Sequence, residues 1–112
     1  MNDLYNNIQQ KIKQLDTSVK MLRKTGSDYG NAYAEYRIAL AKELLILKDE
    51  GYAITLASDI ARGKPEIARL KFNEISSEAI YKANQESINS LKLQLRLLDE
   101  QLSREWGNTK NE

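Results

Sequence analysis

The chain has no cysteine and no histidine, and only one proline, one phenylalanine, one tryptophan and five glycines in 112 residues. Without cysteine there is no disulfide framework and no thiolate nucleophile. Without histidine the usual zinc sites and imidazole bases are absent as well. Aromatic residues make up only 7%, which argues for an all-α protein over a sheet protein. No window holds eighteen apolar residues, and the N-terminal stretch MNDLYNNIQQ lacks a basic-then-apolar signal pattern. No membrane span is therefore expected, and the expected address is cytoplasmic. A net charge of +1 gives no bulk pull toward nucleic acid or membrane.

What is present is helical spacing. The stretch from Pro65 to Trp106 contains no glycine and no second proline. Pro65 at the first helical position with Glu66 beside it is a start signal, and Gly107 is the expected stop. One helix over 65–106 would be roughly 60 Å long, against a radius of gyration of about 13 Å for a compact domain of this size. The expectation is a single domain over 1–112, an elongated helical bundle with a long C-terminal helix. Its thin core would need a second copy, so a homo-oligomer is expected.

Within 65–106 the apolar pattern changes. Ile67, Leu70, Phe72, Ile75, Ala79 and Ile80 spread around the cylinder, as in a segment packed by several neighbours. From Tyr81 a coiled-coil-like heptad follows: Tyr81, Asn84, Ile88, Leu91, Leu95, Leu98 and Leu102. This is the expected packing or oligomer seam, with the Asn84 amide setting register. Leu93 and Leu97 lie nearly opposite Leu91 and imply a second packing surface, covered by the first helix or by another copy.

The remainder divides into shorter helices. Residues 1–24 read as an amphipathic helix with Leu4, Ile8, Ile12, Leu15, Val19 and Leu22 on one face and a basic opposite face. That basic face is either solvated or a surface for nucleic acid or lipid. Thr25–Gly30 reads as a turn from its two glycines. Residues 31–50 form the next helix, ended by Gly51. Tyr29 just before it and Tyr33 and Tyr36 within it are either core or a stacking platform for bases. A short helix over 55–62 follows, with Thr55 as its cap and Gly63 as its close, and 107–112 is a tail. Charge alternates along the chain: basic over 1–24, acidic over 28–50, basic over 51–72 and acidic over 73–106. Residues 1–24 are therefore expected to pack on the second half of the long helix, within or between chains.

Two constellations bear on chemistry. The corner formed by the short helix, Gly63 and Pro65 outlines a helix-turn-helix, and Arg62, Lys64, Arg69 and Lys71 are its candidate nucleic-acid contacts. The spacing from Ala57 to Gly63 departs from the usual motif, so a structural corner is the competing reading. Glu74 and Glu78 are the nearest carboxylate pair on the long helix, with no matching pair elsewhere for a divalent cation. No catalytic, cofactor-binding or metal-ligating residue is expected.

Three stretches carry a resemblance: Glu35-Tyr-Arg-Ile-Ala-Leu-Ala-Lys-Glu-Leu-Leu-Ile-Leu-Lys-Asp-Glu-Gly51, Ile54-Thr-Leu-Ala-Ser-Asp-Ile-Ala-Arg-Gly-Lys-Pro-Glu-Ile-Ala-Arg-Leu70, and Ile88-Asn-Ser-Leu-Lys-Leu-Gln-Leu-Arg-Leu-Leu-Asp-Glu-Gln-Leu-Ser-Arg-Glu-Trp106. They resemble small helical proteins of phages and prophages of Gram-positive bacteria, often encoded near replication or recombination genes. The resemblance implies an accessory role in a bacterial host cell. The partner would be a phage replication or recombination protein, or a host protein that is inhibited. It brings no activity or site. The reading is a non-enzymatic protein acting through protein–protein contact; the alternative is a DNA- or RNA-binding factor using the corner over 55–71.

Overall fold

The structure is a computed structural model that describes the backbone of residues 2–111 and the side chains of residues 3–107. Among the described residues it forms three helices and no strand: α1 (Asn2–Asp49), α2 (Ile54–Gly63) and α3 (Pro65–Asn111). The all-α class and the long C-terminal helix follow the expectation from sequence.

The turn expected at Thr25–Gly30 does not occur. The helices read over 1–24 and 31–50 are one continuous α1. The reason is register. Leu22, Thr25, Tyr29, Ala32 and Tyr36 continue the alternation of three- and four-residue steps through the glycines, and all five are at least half-buried. Each helical glycine costs about 1 kcal/mol relative to alanine, and packing along the same face offsets that cost. Gly26 also leaves room for the Tyr81 ring: a Cβ there would stand 3.2 Å from it, a tight contact to which the ring would have to yield by a few tenths of an ångström.

Gly51 ends α1 as expected. It takes φ +99°, and the amides of Gly51 and Tyr52 donate to the carbonyls of Lys48 and Leu47 at 3.0 and 3.2 Å. This pair of bonds satisfies carbonyls the helix would leave unpaired, with glycine in the left-handed position.

α2 starts at Ile54, one residue before the expected 55–62, and Thr55 is not its cap. Ala53 occupies the cap position with extended backbone and no side-chain hydrogen bond. Its carbonyl accepts from the Ala57 amide at 2.8 Å. Residues 53–56 are exposed, so water can serve the remaining amides of that first turn.

α2 and α3 meet at a single extended residue, Lys64 (φ −67°, ψ 136°). Its amide donates to Ala61 and its carbonyl accepts from Ala68. Pro65 forces this geometry, because a residue preceding proline is excluded from the helical region. α3 then runs through Gly107 to Asn111, so the stop expected at Gly107 and most of the 107–112 tail are helix. Glu112 lies outside the described residues.

The chain divides into two compact units, Met1–Lys24 with Lys82–Glu112, and Thr25–Tyr81. In the second unit α1, α2 and α3 enclose Tyr36, Leu40, Leu47, Ala57, Ala61 and Ile67, with Ala39, Leu44, Ile60 and Leu70 packed around them. Ala57 and Ala61 stand one turn apart and are 1% and 0% exposed. Their small side chains let α2 lie close against the longer helices. Each buried leucine or isoleucine here contributes about 1.5–3 kcal/mol.

Among its described residues the first unit has two helices, the start of α1 and the second half of α3. Leu4, Ile8, Leu15 and Leu22 of α1 face Ile88, Leu91, Leu95, Leu98 and Leu102 of α3, with Ile88 and Leu91 buried and the others half-buried. Residues 1–24 thus pack on the second half of α3 within the chain, one of the two arrangements expected. The α1 stripe is narrower than expected. Lys11 and Ser18 turn inward at the three-residue steps, whereas Ile12 and Val19 lie exposed at the flank. Lysine tolerates such a place because its stem packs while its ammonium reaches water.

Candidate interaction surface

The seam expected to pack within the chain or to join copies of it is occupied within the chain. Asn84, Ile88, Leu91, Leu95, Leu98 and Leu102 face α1 in the first unit. Tyr81 belongs to the second unit, where its ring stands 6.1 Å from that of Tyr29 and over Gly26. Asn84 does what a buried amide in a seam does. Its Nδ2 donates to the Ser18 carbonyl at 2.9 Å, and the Ser18 and Ser87 hydroxyls meet at 3.4 Å beside it. A slip of one heptad would break both bonds, so this polar layer fixes register.

Leu93 and Leu97 are 47% and 53% exposed. No element among the described residues covers them, so the first helix does not supply the second packing surface expected there. Tyr5, Ile12, Val19, Met21 and Trp106 are also exposed in this unit. A separate open groove of about 630 Å³ runs between α1 and α3 here. It is lined mainly by polar side chains, including Gln10, Gln14, Thr17, Ser87, Ser90 and Gln94.

In the second unit the first half of α3 was expected to be packed on several sides. It is packed on one. Ile67, Leu70, Glu74, Ser77 and Tyr81 face inward at heptad spacing, while Phe72, Ile75, Ala79 and Ile80 are exposed. The heptad therefore begins at Ile67 and not at Tyr81. It was hidden in sequence because two of its members, Glu74 and Ser77, are polar.

The four candidate nucleic-acid residues separate into two pairs. Arg62 and Arg69 are exposed. Lys64 and Lys71 are engaged inside the unit: the Lys64 ammonium donates to the Glu43 carboxylate on α1, and Lys71 donates to the buried Glu74 at 2.9 Å. Lys71 Nζ also lies 4.8 Å from the centre of the Tyr36 ring, a cation–π contact. Hydrogen bonding to Glu43 holds Lys64 above the ordinary lysine value, and the bond to Glu74 does the same for Lys71. Two of the four cations thus act as ties between or along helices, and an electrostatic footprint for phosphate is reduced accordingly.

The three tyrosines do not form a platform. Tyr36 is buried, Tyr29 pairs with Tyr81, and Tyr33 is exposed. Glu74 is drawn to Lys71, and among the described residues no three carboxylates converge as metal ligands would. Also among them, no helix is long and apolar enough to cross a membrane. No family model, curated protein or solved structure matches this chain.

Proposed function

We propose that the chain is a non-enzymatic accessory protein that works by protein–protein contact, in the phage-type setting its sequence resembles. The observation carrying this reading is an uncovered apolar face. Leu93 and Leu97, one helical turn apart on α3, are 47% and 53% exposed, with no covering element among the described residues. Scattered exposed leucines need no explanation, but two on one helix face form a surface that a partner can cover. The face bearing Leu93 and Leu97 offers helical spacing to an amphipathic helix of another protein, docked along its side.

The test is affinity capture of the tagged chain from the bacterial host, quantified by mass spectrometry for wild type, Leu93→Glu with Leu97→Glu, and Arg62→Glu with Arg69→Glu. The reading requires one protein partner lost in the leucine variant and kept in the arginine variant. Capture that is nuclease-sensitive, weakens steeply with salt and vanishes in the arginine variant would contradict it and favour the nucleic-acid alternative.

A further inference from the structure

We propose that residues 3–24 of α1 are a lid that swings off the second half of α3 when α1 breaks at Gly26–Asp28, while the three-helix unit stays folded. Thr25-Gly26-Ser27-Asp28 holds a helix stop followed at once by a helix start. Glycine just past a last turn ends a helix in the left-handed region, and serine caps the turn that follows. In the structure neither signal is used. Gly26, Ser27 and Asp28 lie inside α1, and among the described residues positive φ occurs at Gly51 and not at Gly26.

These three residues favour a break. In a helix interior glycine loses more backbone entropy than any other residue, and serine and aspartate give up the backbone bonds that they make at a cap. A break replaces the intrahelical bonds across Gly26 with a glycine stop, a Ser27 cap and an Asp28 carboxylate at the positive end of the new helix. Gly26 has a use in the continuous form, where it leaves room for the Tyr81 ring. Ser27 is exposed, and its use lies in the broken form.

Packing of the lid opposes the break, and that packing is thin. The boundary between the two units falls between Lys24 and Thr25, with Thr25 alone separating it from the glycine. Thr25 is 5% exposed, but from Asp3 to Lys24 no residue is buried, and two inward positions are held by Lys11 and Ser18. Segments with few buried apolar contacts are the ones that open locally. The bond from Asn84 to the Ser18 carbonyl returns the lid to one register when it closes.

Opening uncovers Ile88 and Leu91, buried in the closed form, with Leu95 and Leu98 beside them. The lid thus controls access to an apolar stripe on the inner side of α3. This goes beyond the proposed partner contact, which uses Leu93 and Leu97 on the opposite side of that helix, and neither depends on the other.

Segment-resolved amide exchange of the full chain tests the lid. Ser27→Ala removes the cap of the open form and suits the helix interior of the closed one, so amides in Ile8–Leu22 should exchange about tenfold more slowly. Those in Tyr36–Leu47, which need global unfolding, should slow only about twofold. Ser27→Asp, a cap as good as serine, should leave Ile8–Leu22 within about twofold of wild type. The chain has no native cysteine, and the Ser18 and Ser87 hydroxyls stand 3.4 Å apart, so Ser18→Cys with Ser87→Cys can tie the lid shut on oxidation. In the tied chain Ser27→Ala should slow both segments equally, by about twofold. An equal effect on both segments in the untied chain, or a selective effect that survives the tie, would each overturn the proposal.

Discussion

Thr25–Tyr81 and the hairpin of Met1–Lys24 with Lys82–Glu112 are built from the same two long helices with the same three-and-four spacing. They nevertheless bury very different amounts. Among the described residues the three-helix unit encloses six buried hydrophobic residues, from Tyr36 to Ile67, whereas the two-helix unit buries Ile88 and Leu91. Two helices can cover one stripe each. A third, even ten residues long, closes the gap on one side, and α2 does so with the methyl groups of Ala57 and Ala61. The hairpin compensates with a polar layer at Ser18, Asn84 and Ser87, which sets register but adds little apolar burial.

This contrast can be broken by mutation. The largest effect is expected from Leu40→Ala in the closed unit, about 2–5 kcal/mol lost in urea unfolding. Leu98→Ala, at a matching seam position in the hairpin but half-exposed, should lose about 1–2 kcal/mol. Equal losses would show that the hairpin is as well packed as its counterpart.

Glycine substitutions give smaller effects of opposite sign. Gly51→Ala should destabilise by about 1 kcal/mol, because its φ of +99° suits only glycine. Gly30→Ala should stabilise by roughly 0.5–1 kcal/mol, since Gly30 is helical and a Cβ there meets nothing within 4 Å. Loss of stability in Gly30→Ala would restore the turn and divide α1 in two.

The smallest effect concerns the Lys64–Glu43 tie. Glu43 raises the Lys64 value above 10.5, so its contribution is complete below pH 10.5 and fades as the pH rises through the raised value. Thermal melts should show wild type losing more than Lys64→Met as the pH passes that range. Parallel pH curves would remove the tie from the account.

What could be read from the chain alone depended on how local the cause was. Gly51 and the Gly63–Pro65 corner announce themselves within a few residues and are found where they were expected, whereas the heptad expected from Tyr81 to Leu102 begins earlier, at Ile67. Thr25–Gly30 was misread because two glycines in six residues suggest a turn. The register linking Leu22 to Tyr36 spans a longer window, and the reason for Gly26 is Tyr81, far along the chain. The outward face of Phe72 and Ile75 was hidden for the same reason. Hydrophobicity marks a residue as worth burying, but only tertiary placement shows which side of a helix is covered. The roles of Lys64 and Lys71 as internal ties, in place of a cationic surface, required knowing that Glu43 and Tyr36 lie beside them.

Amide hydrogen exchange on the dilute chain tests the central claim, that one unit closes its own core and the other does not. Amides in Tyr36–Leu47 and Ile60–Leu70 should exchange most slowly, and those in Leu4–Leu22 and Ile88–Leu102 at least about tenfold faster. Equal or greater protection in the hairpin would contradict it.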